Sequence, residues 1–149
     1  MSSSMEITSK RFDKLSKDEL YEILRTRAQV FVVEQNCAYQ DLDDLDQDAL
    51  HIIGRVDGDV VAYMRAYLEE GSIHLGRILT TVRGKGYGRM ILHEGMTIAV
   101  SEFKVGHIIL EAQTYVKKLY ESEGFAQKSD EFLLDGIPHI RMEKNVGRC

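Results

Sequence analysis

Apolar residues along this chain switch between a helical and an alternating period, and the switches mark its elements. Leu20, Ile23, Leu24, Ala28 and Phe31 recur at helical spacing, which predicts a helix over about 17–33 with one face buried. Its start is signalled twice: Ser16 with Glu19 makes a capping box, and Leu15 and Leu20 occupy the positions of a hydrophobic staple. Before it, Glu6 to Phe12 reads as a short strand around Ile7, and residues 1–5 as disordered. After it come an acidic loop, 36–48, and three β-branched, apolar runs, His51 to Val56, Val60 to Leu68 and Ile73 to Thr81. Asp57-Gly58-Asp59 and Glu70-Gly71 separate the runs. Gly and Asp tolerate positive φ, so these are turns and the runs form an antiparallel meander.

The helical period returns in Ile91, Leu92, Gly95, Met96, Ala99 and Phe103, predicting a helix over about 88–104 packed on a sheet and ended by Gly106. His107 to Glu111 reads as a buried strand, and Tyr115 to Glu123 as a short helix stopped by Gly124. From Phe125 the chain is strand again, turning at Asp135-Gly136 and closing with Pro138 to Lys144. The run 73–81, the helix 88–104 and the run 107–111 compose a βαβ crossover, whose two strands are parallel. The expected fold class is therefore α/β (α+β). It has a mixed sheet of six to seven strands, antiparallel on its N-terminal side and parallel at the crossover, with flanking helices, in one domain spanning 1–149.

A length of 149 residues suits one core of that kind, and 44% hydrophobic with 29% charged residues is an ordinary globular balance. No apolar run reaches the roughly 18–20 residues that cross a bilayer, and no export leader opens the chain, so a cytoplasmic protein is expected. Cys37 and Cys149 are too few for a disulfide framework and lack partners spaced for zinc, so both read as free thiols and no metal is expected. A net charge of −5 argues against a nucleic-acid binder. The charge is uneven, however. Arg77, Arg83, Lys85 and Arg89 fall between 77 and 92 with no acid among them, which suggests one specific anionic ligand.

That basic strip contains Arg83-Gly84-Lys85-Gly86-Tyr87-Gly88, between a strand and a helix. Alternate glycines there let backbone N–H groups gather at a helix N-terminus, which is a phosphate-binding arrangement. Neither the Walker spacing nor the dinucleotide fingerprint is met, because Leu79 and Gly86 stand where the former needs Gly and Ser or Thr. The segment does resemble the R-x-x-G-x-G pyrophosphate loop of the GCN5-related N-acetyltransferases (GNAT). Leu119-Tyr120-Glu121-Ser122-Glu123-Gly124-Phe125 is similar to that family's second signature. The stretches Val30 to Gln35 and Asp135 to Ile140 look most like its ElaA-type branch. The resemblance covers about 6–144.

The resemblance implies an acetyl-CoA-dependent N-acyltransferase in which pantetheine lies between the splayed parallel strands. Ile78, Leu79 and Thr80 would give it backbone hydrogen bonds, opposite Glu111 to Gln113. Arg83, Gly84, Lys85, Gly86, Tyr87, Gly88 and Arg89 would hold the pyrophosphate. An amine attacks the thioester directly, and Tyr120 protonates the departing thiolate. Glu111 and Glu34 are the carboxylates proposed as base; Arg77, Gln113, His139 and Glu34 are assigned to the acceptor side. For each, a structural role is the competing reading: core for Tyr120, a satisfied ring for His139, an internal ion pair for Arg77. The acceptor is expected to be a small-molecule amine, with a protein N-terminus or lysine as the alternative. A silent acyl-CoA sensor is a further one, and a homodimer is possible. The aspartates of 41–48 fail the EF-hand spacing at Ala49 and Arg55, so they read as a solvated loop at the mouth of the acceptor site.

Overall fold

The computed structural model describes residues 4–147. Its strands are β1 (Glu6–Arg11), β2 (Leu50–Val56), β3 (Asp59–Glu69), β4 (Ser72–Thr80), β5 (His107–Gln113), β6 (Ala126–Gln127), β7 (Phe132–Leu134) and β8 (Ile137–Asn145); its α-helices are α1 (Lys17–Arg27), α2 (Tyr87–Phe103) and α3 (Lys117–Ser122). All eight strands join one sheet in the order β1-β2-β3-β4-β5-β8-β6, with β7 paired to β8. That is more than the six to seven expected, because the last stretch breaks into two short strands beside the long β8. Only β4 and β5 run parallel, as the crossover requires. Among the described residues, no helix is long and apolar enough to cross a membrane.

Three two-residue turns organise the antiparallel parts. Asp57-Gly58, Glu70-Gly71 and Asp135-Gly136 each place both residues at positive φ, the twist that suits a tight hairpin. The helices then cover the sheet on opposite faces. On one, α2 sets Ile91, Leu92, Met96 and Ala99 against Ile52, Met64, Ile73 and Ile108. Gly95 lets it approach so closely that a Cβ there would lie 2.6 Å from the Met64 sulfur. Each fully buried Ile or Leu contributes about 2 kcal/mol. On the other face Ile23 of α1, with Val30, packs on Ile53, Val60, Tyr63 and Leu79.

Several boundaries depart from the expectation. The capping box forms, Glu19 N–H donating to Ser16 Oγ and Ser16 N–H to Glu19 Oε1, but α1 ends at Arg27 and widens into π-helical turns over Ala28–Glu34. The end of α2 falls to Lys104, which takes the left-handed conformation at φ 57°. Gly106 serves a different need: a Cβ there would sit 2.3 Å from the Gly147 carbonyl oxygen, so it lets the C-terminal strand close against the α2–β5 connection. Met5, expected to be disordered, is buried against Gly54. Residues 1–3 and Cys149 lie outside the described residues.

Candidate functional site

The site begins where β4 leaves β5. Parallel pairing holds at Ile73–Ile108, His74–Ile109 and Leu75–Leu110 and then ceases. The cause is a bulge. Against β3, Arg65 pairs with Gly76 and Tyr63 with Leu79, so Arg77 and Ile78 together stand opposite Met64. Arg77 takes φ 52° to make this turn. Beyond it the strands diverge around a cavity of about 740 Å³, lined by Gly76 to Thr80 on one side and Leu110, Glu111 and Gln113 on the other. Backbone polar groups of β4 that would bond to β5 in a continuous sheet thus face a cavity.

At one end of the gap stands the N-terminus of α2. Gly86 is its N-cap at φ 77°, Gly84 also has φ 77°, and no side chain caps the helix. The first N–H groups of a 17-residue helix are therefore free for an anion. Residues 81–86 are all exposed. Arg83 and Gly88 line the cavity, while Gly84, Lys85, Gly86 and Arg89 are exposed and outside its lining, and Tyr87 packs against the core beneath α2. Among the described residues no carboxylate pairs with Arg83, Lys85 or Arg89.

The side of the cavity is closed by α3. Tyr120 is 8% exposed, stands edge-on to Phe125 with ring centroids 6.0 Å apart, and lines the cavity. Burial, with a smaller contribution from Tyr115, pushes its phenol up to about 12, so it stays protonated at neutral pH. Glu111 is exposed on the opposite wall, and among the described residues no cation pairs with it, its strand neighbour Arg141 bonding Glu143 instead. Gln113 donates to Gln35 Oε1 at 3.5 Å, and Cys37 Sγ reaches the Asp135 carbonyl at 3.5 Å, so the 35–37 strap bridges to β5 and to the β7–β8 turn. His139 is buried at the cavity wall, its Nδ1 2.7 Å from the Ile137 carbonyl and its ring stacked on Phe132.

Of two further expected residues, one lies outside the cavity and the other lines it with its guanidinium already engaged. Glu34 is exposed at the end of the π-helical turns and outside the cavity lining, where its neighbour Gln35 stands. Arg77 is engaged within the chain, its Nε donating to Asp41 Oδ1 at 2.8 Å. The acidic loop does reach the cavity, at Tyr39, Asp43 and Leu45, but three of its aspartates are paired and not simply solvated. Asp41, Asp43 and Asp46 neutralise Arg27, Arg65 and Arg77 beneath the site: Arg27 Nε donates to Asp41 Oδ2 at 3.0 Å and its Nη1 to Asp46 Oδ1 at 2.6 Å, while Arg65 Nη1 bonds Asp43 Oδ1 at 2.8 Å. Burial alone would raise the Asp43 carboxyl, but the hydrogen bonds and charge of Arg65 outweigh it and hold the group at about 2. The same balance, with Arg27 leading, lowers Asp46. His51 joins beneath, 2.6 Å from the Tyr63 hydroxyl and 2.9 Å from the Asp46 carbonyl, and burial lowers its pKa.

Arg27 and Arg65 carried a readable signal: each is a cation inside an apolar face, Arg27 between Ile23 and Phe31 and Arg65 within Val60 to Leu68. A buried cation requires carboxylates, and the aspartates of 41–48 are the supply. Among the described residues no group of three His, Cys, Asp or Glu is placed to hold a metal ion.

Comparison with known proteins gives a consistent result. Residues 13–146 match the family described as acetyltransferase (GNAT) domain. A UPF0039 protein of Schizosaccharomyces pombe is 38% identical over 145 residues, 94% of this chain and 97% of that protein. Protein ElaA of Escherichia coli is 34% identical over 140 residues, 89% of this chain and 92% of its own length, and its crystal structure superposes with a TM-score of 0.88 over 95% of this chain and 99% of that one. The crystal structure of an acyl-CoA N-acyltransferase from Pseudomonas aeruginosa superposes with a TM-score of 0.89 at 34% identity, covering 95% of this chain and 99% of that one.

Proposed function

The chain belongs to the GNAT acetyltransferases, in their ElaA-like branch, and from that premise we propose that it transfers an acetyl group from acetyl-CoA to a primary amine by direct attack in a ternary complex. One observation carries the reading: the gap between β4 and β5 runs to an uncapped helix N-terminus beside three cations, Arg83, Lys85 and Arg89, that no carboxylate pairs among the described residues. Pantetheine lies in that gap against the backbone of Ile78, Leu79 and Thr80. The pyrophosphate rests on the N–H groups of Gly84 to Gly88, and the exposed arginines and lysine add charge.

The thioester carbon is attacked by the neutral amine, the C–S bond breaks as the C–N bond forms, and the thiolate takes its proton from Tyr120. Glu111, without a cationic partner among the described residues, accepts the proton lost by the amine, directly or through a water. The cavity also carries Glu69 and Glu70, which favours a cationic acceptor, and the strap at Gln35 and Cys37 favours a small amine over a folded protein surface. Gln113 and His139 line the same cavity, and we assign them to the acceptor. A thiol-release screen of primary amines with acetyl-CoA tests the reading. Release that depends on a particular amine supports it, and no release with any amine at saturating acetyl-CoA leaves a binding protein without turnover.

A further inference from the structure

Arg77 is bent in a way its own side chain has to sustain. Among the described residues it alone has a Cβ, a positive φ and a place inside a strand; the other non-glycine residues at positive φ lie in turns, loops or a helix end. A side-chain-bearing residue disfavours this conformation on the order of tenfold, so something must hold it. The Arg77 Nη2 donates to the Asp41 carbonyl at 2.8 Å and to Asp43 Oδ2 at 3.3 Å, beside the Nε bond to Asp41. The guanidinium also lies 5.4 Å from the centre of the Tyr39 ring, and the Tyr39 hydroxyl donates to Asp41 Oδ1 at 2.9 Å. Both aspartates are themselves anchored, Asp41 on the fully buried Arg27 and Asp43 on Arg65.

We propose that Asp41, Asp43 and Tyr39 clamp Arg77 in the left-handed conformation, and that this clamp keeps β4 parted from β5 so that the acyl-CoA gap exists before the ligand arrives. The inference rests on reading the gap as the acyl-CoA site. Arg77 is then a positioning residue, acting through its own backbone on Ile78 to Thr80. Released, it relaxes toward ordinary strand, the bulge slips, and the binding-competent fraction falls. Apparent affinity falls by that fraction, while the complex, once formed, is unaltered.

The test compares Arg77→Ala with Arg77→Gly, because both remove the clamp but only glycine takes positive φ without cost. Acetyl-CoA affinity is measured by calorimetry, and kcat and KM with an acceptor amine from the screen. The expected result is an Arg77→Ala loss on the order of tenfold in affinity and KM with kcat within about threefold, and a clearly smaller loss in Arg77→Gly. Folding of Arg77→Gly alone points the same way. Equal losses in the two variants, no loss in either, a fall confined to kcat, or failure of both to fold overturns the clamp. Absence of acetyl-CoA binding by the wild-type protein overturns instead the reading of the gap.

Discussion

Tyr120 is the residue whose chemistry and packing separate most cleanly. Tyr120→Phe keeps the ring against Phe125 and removes only the hydroxyl. We expect near-normal acetyl-CoA affinity and a kcat lowered on the order of a hundredfold, read in single turnover with saturating amine. A residue that only packs would leave that rate unchanged and cost about 1 kcal/mol at most. Because burial raises the phenol from 10.0 to about 12, its contribution to stability is complete below pH 10. It is lost as the pH rises through 12, so the alkaline limb of unfolding should be shallower in the variant. The place of Tyr120 on a short helix was legible because its signature is local, a tyrosine five residues before Phe125 on a helix closed by Gly124. The partner of Arg77 was not, since Asp41 lies 36 positions away and only folding brings it within 2.8 Å.

At the scale of elements, the hairpins and the helix starts were readable for the same reason, because Asp-Gly, Glu-Gly and Ser-x-x-Glu act within a few residues. The π-helical turns after Arg27 and the bulge at Arg77 have no such mark; both are set by what the chain packs against. Counting apolar periodicity also treats every arginine as an exposed position, which hid Arg27 and Arg65 in the interior. The element on which function most depends is the start of α2. Nothing stands within 4 Å of a Cβ built on Gly86, but its φ of 77° strains any side chain there, so Gly86→Asp costs about 1 kcal/mol in backbone conformation as well as bringing a carboxylate into the anion site. Affinity for acetyl-CoA is expected to fall on the order of a hundredfold or more, with the melting temperature of the free protein within a few degrees of wild type. The wild type should gain several degrees from saturating acetyl-CoA, and the variant should not. Undiminished binding in Gly86→Asp would reduce the loop to a turn.

Across the whole molecule, three arginines and three aspartates tie the first helix, the acidic loop, β3 and β4 into one unit beneath the cavity. Its acid sensitivity follows from Asp43, whose carboxyl is lowered from 3.8 to about 2. The stability it supplies is present above pH 3.8 and lost as the pH falls through 2. Asp43→Asn should therefore cost about 2–3 kcal/mol at pH 6, less than orphaning a buried charge because Asp46 still pairs Arg65. Denaturant titrations should show the difference from wild type shrinking between pH 4 and pH 2, and a constant difference would contradict the assignment. The central claim, direct transfer from acyl-CoA in the β4–β5 gap to an amine, is tested most directly by rapid-quench single turnover with enzyme in excess over isotopically labelled acetyl-CoA and saturating amine. The account predicts one labelled N-acetyl amine for each CoA thiol released, with no label on the protein at any time. Label held on the protein as an intermediate, for instance on Cys37 at the cavity wall, or thiol release without acetylated amine, would contradict it.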